Sequence, residues 1–277
     1  MQRFSLRITV AAGEQRTACD LVAAAAELAK ARVKDAMAKG AVWLLRKKGG
    51  NKRLRRATTT LRPGDELELH YDPELLALTP PLAQCLLDQG HYSVWFKPAG
   101  LLAQGTPYGD HCSLVRQVEI AFQSKRQVLP VHRLDREVAG LMIVAHDRKA
   151  AAHLSQLLRE DKIDKQYRVT VVGKLTPEKG AIDLELDGKP AATEYTVTGY
   201  DPAADTTIAE VTIHTGRLHQ IRRHFELIGH PVVGDPRYGS GNKNRTGLQL
   251  VAFSLAFRCP FTGRPVQVRL AGEEGTL

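Results

Sequence analysis

At 277 residues, 43% of them hydrophobic and 25% charged, the chain is long enough for a full core and has room for two domains. No stretch approaches the ~20 apolar residues of a membrane span, MQRFSLRITV lacks the apolar run of a secretory leader, and the 4 cysteines form no C-x-x-C pair, so a cytoplasmic, metal-free protein without disulfides is expected. The net charge of +9 is lopsided, with 15 Lys and Arg against 7 Asp and Glu in residues 1–70 and 24 against 23 in the rest.

In chain order, Phe4, Leu6, Ile8 and Val10 alternate with polar residues and predict a half-buried strand. Asp20 is placed to cap a helix through Leu28, and a second short helix is predicted around 32–38, ending at Gly40. A strand over 41–45 follows, then a basic loop from Arg46 to Arg56 that holds Lys47, Lys48, Lys52 and Arg53 and no acid. Such a block suits a polyanion, most simply nucleic acid, with a solvated loop as the bland alternative. It has no apolar face for a membrane surface. Leu61-Arg62-Pro63-Gly64-Asp65-Glu66-Leu67-Glu68-Leu69 reads as a Pro-Gly turn feeding an alternating strand. This order, with Arg32-Val33-Lys34 on the second helix and Gly40-Ala41-Val42 after it, resembles the alpha-L RNA-binding module of bacterial pseudouridine synthases. The resemblance implies a small α/β module over 1–72 that binds RNA, with Arg32 and Lys34 on its second helix facing it, and the charge of the basic block adds Lys47, Lys48, Lys52 and Arg53 to that face. Pro-rich composition marks 73–90 as a linker, leaving 91–277 as a second domain.

A strand is predicted over 92–97, stopped by Pro98-Ala99-Gly100, and a Gly- and Pro-rich loop leads on to Pro130-Val131-His132-Arg133-Leu134-Asp135-Arg136. The apolar run 141–145 behind it reads as a buried strand, so the charged cluster occupies a turn anchored on a sheet. Asp135, between two arginines, is suited to act as nucleophile or base. The plainer reading is a solvated surface ion pair. Asp147 can cap a helix, and strands are predicted over 165–173, 181–186, 192–199, 207–214, 248–257 and 265–270. Many strands with few helices imply an α+β domain with a mixed, largely antiparallel sheet flanked by helices.

Thr215-Gly216 marks a turn into a further helix, with Arg217 in its first turn and Leu218, Ile221, Phe225 and Ile228 facing inward. Arg222 and Arg223 are available for phosphates. The ordered motifs H-R-L-D-R-x-x-x-G-L, K-x-Y, T-G-R-x-H-Q-I-R-x-H and G-H-P-x-x-G-D-x-x-Y-G resemble those of the RluA-type pseudouridine synthases over roughly 90–270. One departure is Val138-Ala139, where Thr-Ser is common. The resemblance implies uridine isomerisation in RNA, ribosomal first and transfer RNA second, by a monomer that needs no metal or cofactor. Asp135 would be the catalytic carboxylate, Tyr167 would stack on the base, and Arg217 would pair with Asp135. Arg133 would enter the RNA stack as the nucleotide is flipped out, with His132, Arg136 and Arg222 on the RNA side. Taken singly, Tyr167 is as well read as a strand-core aromatic and Arg217 as a helix-end surface charge. His132, His219, His224 and His230 are expected as hydrogen-bonding scaffold.

A protein-kinase loop is excluded because Leu134 splits His-Arg-Asp and no Gly-rich nucleotide loop is present. Clustered carboxylates for a metal-dependent hydrolase are not apparent. The remaining rival is a non-catalytic RNA-binding or ribosome-assembly protein.

Overall fold

Alternation along Phe4–Thr9 (β1) does put one face inward, and Phe4, Leu6 and Ile8 pack on a buried apolar cluster. The computed structural model describes residues 2–46, 49–240, 242–244 and 246–271, so Lys47 and Lys48 lie outside the described residues. The chain divides into two units, Met1–Pro80 with Gln104–Ile120, and Pro81–Ala103 with Ala121–Leu277.

In the first unit, β1 is followed by helices Ala18–Ala26 (α1) and Lys30–Ala38 (α2). Thr17, not Asp20, caps α1: its hydroxyl accepts from the Asp20 N–H at 3.2 Å, and Asp20 lies in the first turn. Strands Val42–Arg46 (β2), Gly50–Arg53 (β3) and Glu66–Tyr71 (β4) complete a 4-stranded antiparallel sheet in the order β1-β4-β2-β3. Within the stretch expected as a basic loop, Gly50–Arg53 therefore forms an edge strand. Val22, Val33 and Met37 from the helices meet Leu44, Leu67 and Leu69 from the sheet in one buried core.

The 73–90 stretch, expected as a linker, carries secondary structure. Asp72 caps a short helix, Pro73–Ala77 (α3), through the Leu75 N–H at 3.0 Å. Gln84–Asp88 (β5) pairs with the next strand, Tyr92–Lys97 (β6). Residues 104–120, including most of the helix Leu114–Ala121 (α4), belong with the first unit. Trp43 Nε1 donates to Pro107 O at 3.0 Å, Arg53 donates to Gly40 O and Thr106 O, and Asp110 takes ion pairs from Arg53 and Arg55.

The second unit is built on a 10-stranded mixed sheet. After β6 come Leu129–Pro130 (β7), Ala139–Ala145 (β8), the helix Arg148–Arg159 (α5) capped by Asp147, and Ile163–Val172 (β9). Lys179–Asp183 (β10), Ala192–Asp201 (β11), Thr206–Ile213 (β12), the helix Gln220–Leu227 (α6), Leu250–Arg258 (β13) and Pro265–Arg269 (β14) follow. The main path runs β10-β11-β12-β9-β13-β8-β6-β5, antiparallel except where β13 meets β8. An α+β architecture with a largely antiparallel mixed sheet is what the sequence implied. At the parallel contact Ala252 lies opposite Gly140, where a Cβ would sit 2.3 Å from Ala252 O. With φ at +132°, Gly140 is also in a conformation that side chains disfavour. Glycine there lets β8 start against β13 and fixes where the preceding turn emerges.

Candidate active site

Leu134 and Val138, 6% and 3% exposed, pin the turn between β7 and β8 from inside. Its outer backbone is held as well: Arg136 O accepts from the Gly100 N–H at 2.7 Å and from Lys97 Nζ at 3.4 Å. Lys97 is fully buried and also donates to Leu101 O at 2.7 Å and Pro98 O at 3.1 Å. Burial pushes its ammonium down to about 7. His132 Nε2 accepts from the Ile143 N–H at 2.9 Å, which ties the turn to the middle of β8 and places the ring proton on Nδ1. Burial, helped by Lys165, lowers His132 to about 4, so the ring is neutral.

The turn projects Asp135 into a cavity of about 500 Å³, whose walls include Arg133, Tyr167, Lys165, Arg217 and Arg222. Asp135 Oδ2 accepts from an Arg222 terminal nitrogen at 3.0 Å, and His219 Nε2 stands 3.6 Å from the same oxygen. The other edge of the Arg222 guanidinium grips Asp235 bidentately, at 2.7 and 2.8 Å. Asp235 is wholly buried and also accepts from the backbone N–H groups of Arg237 and Tyr238. Burial alone would push Asp235 up, but the Arg222 hydrogen bond and these N–H donors hold it below the usual carboxylate range. Burial likewise works against the Arg222 charge, and the two carboxylates more than offset it. A buried guanidinium with both edges filled is a fixed arm. It orients Asp135 and supplies its counter-charge.

Arg217 does not take that role. It precedes α6, because His219 adopts a left-handed conformation (φ 53°) as the N-cap and the helix starts only at Gln220. Arg217 Nε donates to Pro190 O at 3.0 Å, while its side chain still lines the cavity. The expected inward face is also altered: Ile221 and Phe225 are buried, whereas Leu218 is 54% exposed at the cavity wall. Arg222, expected at phosphates, is instead the buried partner of Asp135, and Arg223 pairs with Asp187 at 2.8 Å.

Tyr167 lies on β9, 8% exposed, between Val211 of β12 and Ala252 of β13. Burial, and behind it the Asp135 charge, pushes its phenol above the usual range, so it stays protonated. One aromatic ring and one carboxylate thus share a cavity of the size that takes a nucleoside. Arg133 is exposed at the wall. Arg136 is not on this cavity; it pairs with Glu137 at 3.4 Å and lines a separate depression beside Gly100.

The histidines act as hydrogen-bonding scaffold. His219 Nδ1 meets the Tyr238 hydroxyl at 2.9 Å, His224 bridges Thr193 and Leu184 O, and His230 reaches Val172 O. Burial holds His219 below the ordinary histidine range although the Asp135 charge pulls the other way. In the first unit Arg32, Lys34 and Lys52 are exposed, as an RNA-facing role requires. Arg53 is not, since it is stacked 4.3 Å over Trp43 and ion-paired with Asp110. Sequence reasoning missed Asp235, His219 and Lys165 as parts of the site. Their signal was present in the G-D-x-x-Y-G, R-x-H-Q and K-x-Y motifs, but not which atoms would meet.

Residues 91–227 match the family model described as RNA pseudouridylate synthase. An uncharacterized RNA pseudouridine synthase of Aquifex aeolicus is 31% identical in an alignment 291 positions long that covers 93% of this chain and 90% of that protein. The dual-specificity RNA pseudouridine synthase RluA of Escherichia coli is 35% identical over 178 residues, covering 58% of this chain and 78% of that protein. Among solved structures, human RNA pseudouridylate synthase domain containing 1 matches with a TM-score of 0.60 at 21% identity, over 70% of this chain and 86% of that one. That last likeness is one of fold.

Proposed function

Because this chain belongs to the RNA pseudouridine synthase family and forms pseudouridine in RNA, we propose that Asp135 is the carboxylate that acts on the target uridine. The observation that carries this reading is the shared cavity. Asp135 is fixed by Arg222 at 3.0 Å, and Tyr167 is buried on the neighbouring strand wall.

A base cannot react at its ring carbon while stacked in a helix, so the target nucleotide enters the cavity flipped out. Tyr167 stacks on the uracil, contributing ~1–3 kcal/mol towards the cost of unstacking. Arg133, exposed at the rim, fills the space the nucleotide leaves. Asp135 attacks or deprotonates the nucleoside while the bond from N1 to the ribose breaks. The base turns, its C5 joins the ribose as any bond to Asp135 is released, the C5 proton is lost to solvent, and N1 takes up a proton in its place. Arg222 balances the Asp135 charge throughout, and Arg217, beside the cavity, meets the RNA backbone. The target is a structured RNA, ribosomal RNA first, held also by the exposed Arg32, Lys34 and Lys52 of an alpha-L-like module.

Loss of the C5 hydrogen gives the test. Ribosomal RNA and transfer RNA transcribed with 5-tritiated uridine should release tritium with the wild-type protein. Asp135→Asn should release none above background while binding the same RNA. Equal release by both proteins would remove Asp135 from the chemistry.

A further inference from the structure

Lys165 and Tyr167 are two residues apart on β9, so the strand period turns both side chains to the same face. Both line the cavity that holds Asp135. Lys165 is half-buried, and among the described residues no hydrogen bond or ion pair reaches its Nζ. The charges acting on it are those of Asp161 and Asp164, both exposed carboxylates. The neighbouring cations are differently placed. Arg222 is filled by Asp135 and Asp235, Arg217 leans on Pro190 O, and Arg133 stands in solvent. His132, next to Lys165, is neutral and already accepts from Ile143.

An ammonium drawn partly out of water with no carboxylate in contact costs stability, and the chain keeps one here in the wall of its reaction cavity, with only the exposed Asp161 and Asp164 acting on it from beyond ion-pair distance. An anion arriving with the substrate would repay that cost. The uracil and ribose are neutral, and Asp135 already has its cation. The negative groups a ribonucleotide brings are its phosphates. We propose that Lys165 binds a backbone phosphate of the flipped nucleotide and so sets how deep the nucleoside sits between Tyr167 and Asp135. This inference rests on the assignment of the cavity to the flipped uridine. Lys165 is a substrate-binding group that discriminates a nucleotide from a bare nucleoside, and lysine suits the role as a point-charge phosphate ligand.

The experiment uses the full-length protein and tritium release from 5-tritiated ribosomal RNA, with uridine, uridine 3′-monophosphate and uridine 5′-monophosphate as inhibitors. One of the monophosphates should inhibit about 10–100-fold more strongly than uridine, the range expected of a hydrogen bond to a charged group. Which one does so tells whether Lys165 holds the phosphate before or after the target. In Lys165→Met the two inhibition constants should converge while uridine inhibits as before, and Lys165→Arg should restore most of the gap. Persistence of the gap in Lys165→Met, equal inhibition by uridine and both monophosphates of the wild type, or no inhibition by any of them would overturn the proposal. A variant that merely unfolds would lose uridine inhibition and tritium release together, and Lys165→Arg then decides: a wild-type gap there supports the phosphate contact, and an abolished gap in that folded variant refutes it. Failure of the wild type to release tritium would instead count against the assigned RNA.

Discussion

Arg222 stands between two carboxylates of different standing. Asp235 is sealed in protein, while the Asp135 side chain is 15% exposed to the cavity. Arg222→Met would leave Asp235 as a buried charge with its two backbone N–H donors but no counter-ion, and breaking such a pair costs about 3–5 kcal/mol. The urea midpoint should drop accordingly, with activity lost even where the protein remains folded. Arg217→Ala should leave the unfolding free energy within about 0.5 kcal/mol of wild type, as expected of a side chain outside the core, and weaken RNA binding instead. The sequence offers two arginines five positions apart around the same His-Gln and contains no indication of which one turns inward. That choice is made by the left-handed backbone of His219, which delays the helix until Gln220 and puts Arg222 in its first turn. Asp135 and Tyr167 could be put in one site only because their motifs occur in the order of a known family, since either residue taken alone reads as an ordinary ion pair or a strand-core ring. The Arg222–Asp235 pairing depends on long-range packing and was not.

The turn that carries Asp135 is only as rigid as the strand it leads into, and one histidine couples them. His132 accepts from Ile143 N–H through a neutral ring, lowered to about 4 by burial first and by Lys165 second. An unfolded chain takes up that proton near pH ~6.5, so the unfolded state binds more protons between about pH 6.5 and 4. Stability from this group is intact above that window and is lost as pH falls through it. At pH 5 the loss should be about 2 kcal/mol relative to pH 7. His132→Gln keeps an acceptor for Ile143 and removes the titration. Urea unfolding at the two pH values should therefore show a smaller acid penalty in the variant, and an equal penalty would show that the ring is protonated in the fold. Most strands could be read from alternation or apolar runs, β6, β8 and β13 among them. The strand β3 could not. Gly50-Asn51-Lys52-Arg53 has no apolar alternation and is extended only because β2 pairs with it. Likewise β5 was hidden in a Pro-rich stretch, since its pairing with β6 is a long-range decision.

At the scale of the molecule, the excess positive charge of residues 1–70 divides into two populations. Arg46 grips Asp65 at 2.7 and 2.9 Å, and Arg53 and Arg55 hold Asp110, so these arginines are internal struts. Arg32, Lys34 and Lys52 remain exposed. Replacing those three by Gln should flatten the dependence of log affinity on log salt by about 0.7–0.9 for each phosphate no longer neutralised. An unchanged slope would remove this face from the RNA footprint. Arg53→Gln should lower thermal stability, because its ties are to Asp110, Gly40 and Thr106. Charge density alone had put Arg53 with the RNA-facing cations, since composition does not distinguish a cation that holds the protein from one that holds a ligand.

The segment 104–120 lies far along the chain from the module it completes. A hybrid enzyme given residues 1–80 of this protein alone would inherit Trp43, Arg53 and Arg55 without Pro107, Thr106 and Asp110. Transplantation would have to carry both pieces, and a single cut at residue 72 would separate neither unit cleanly.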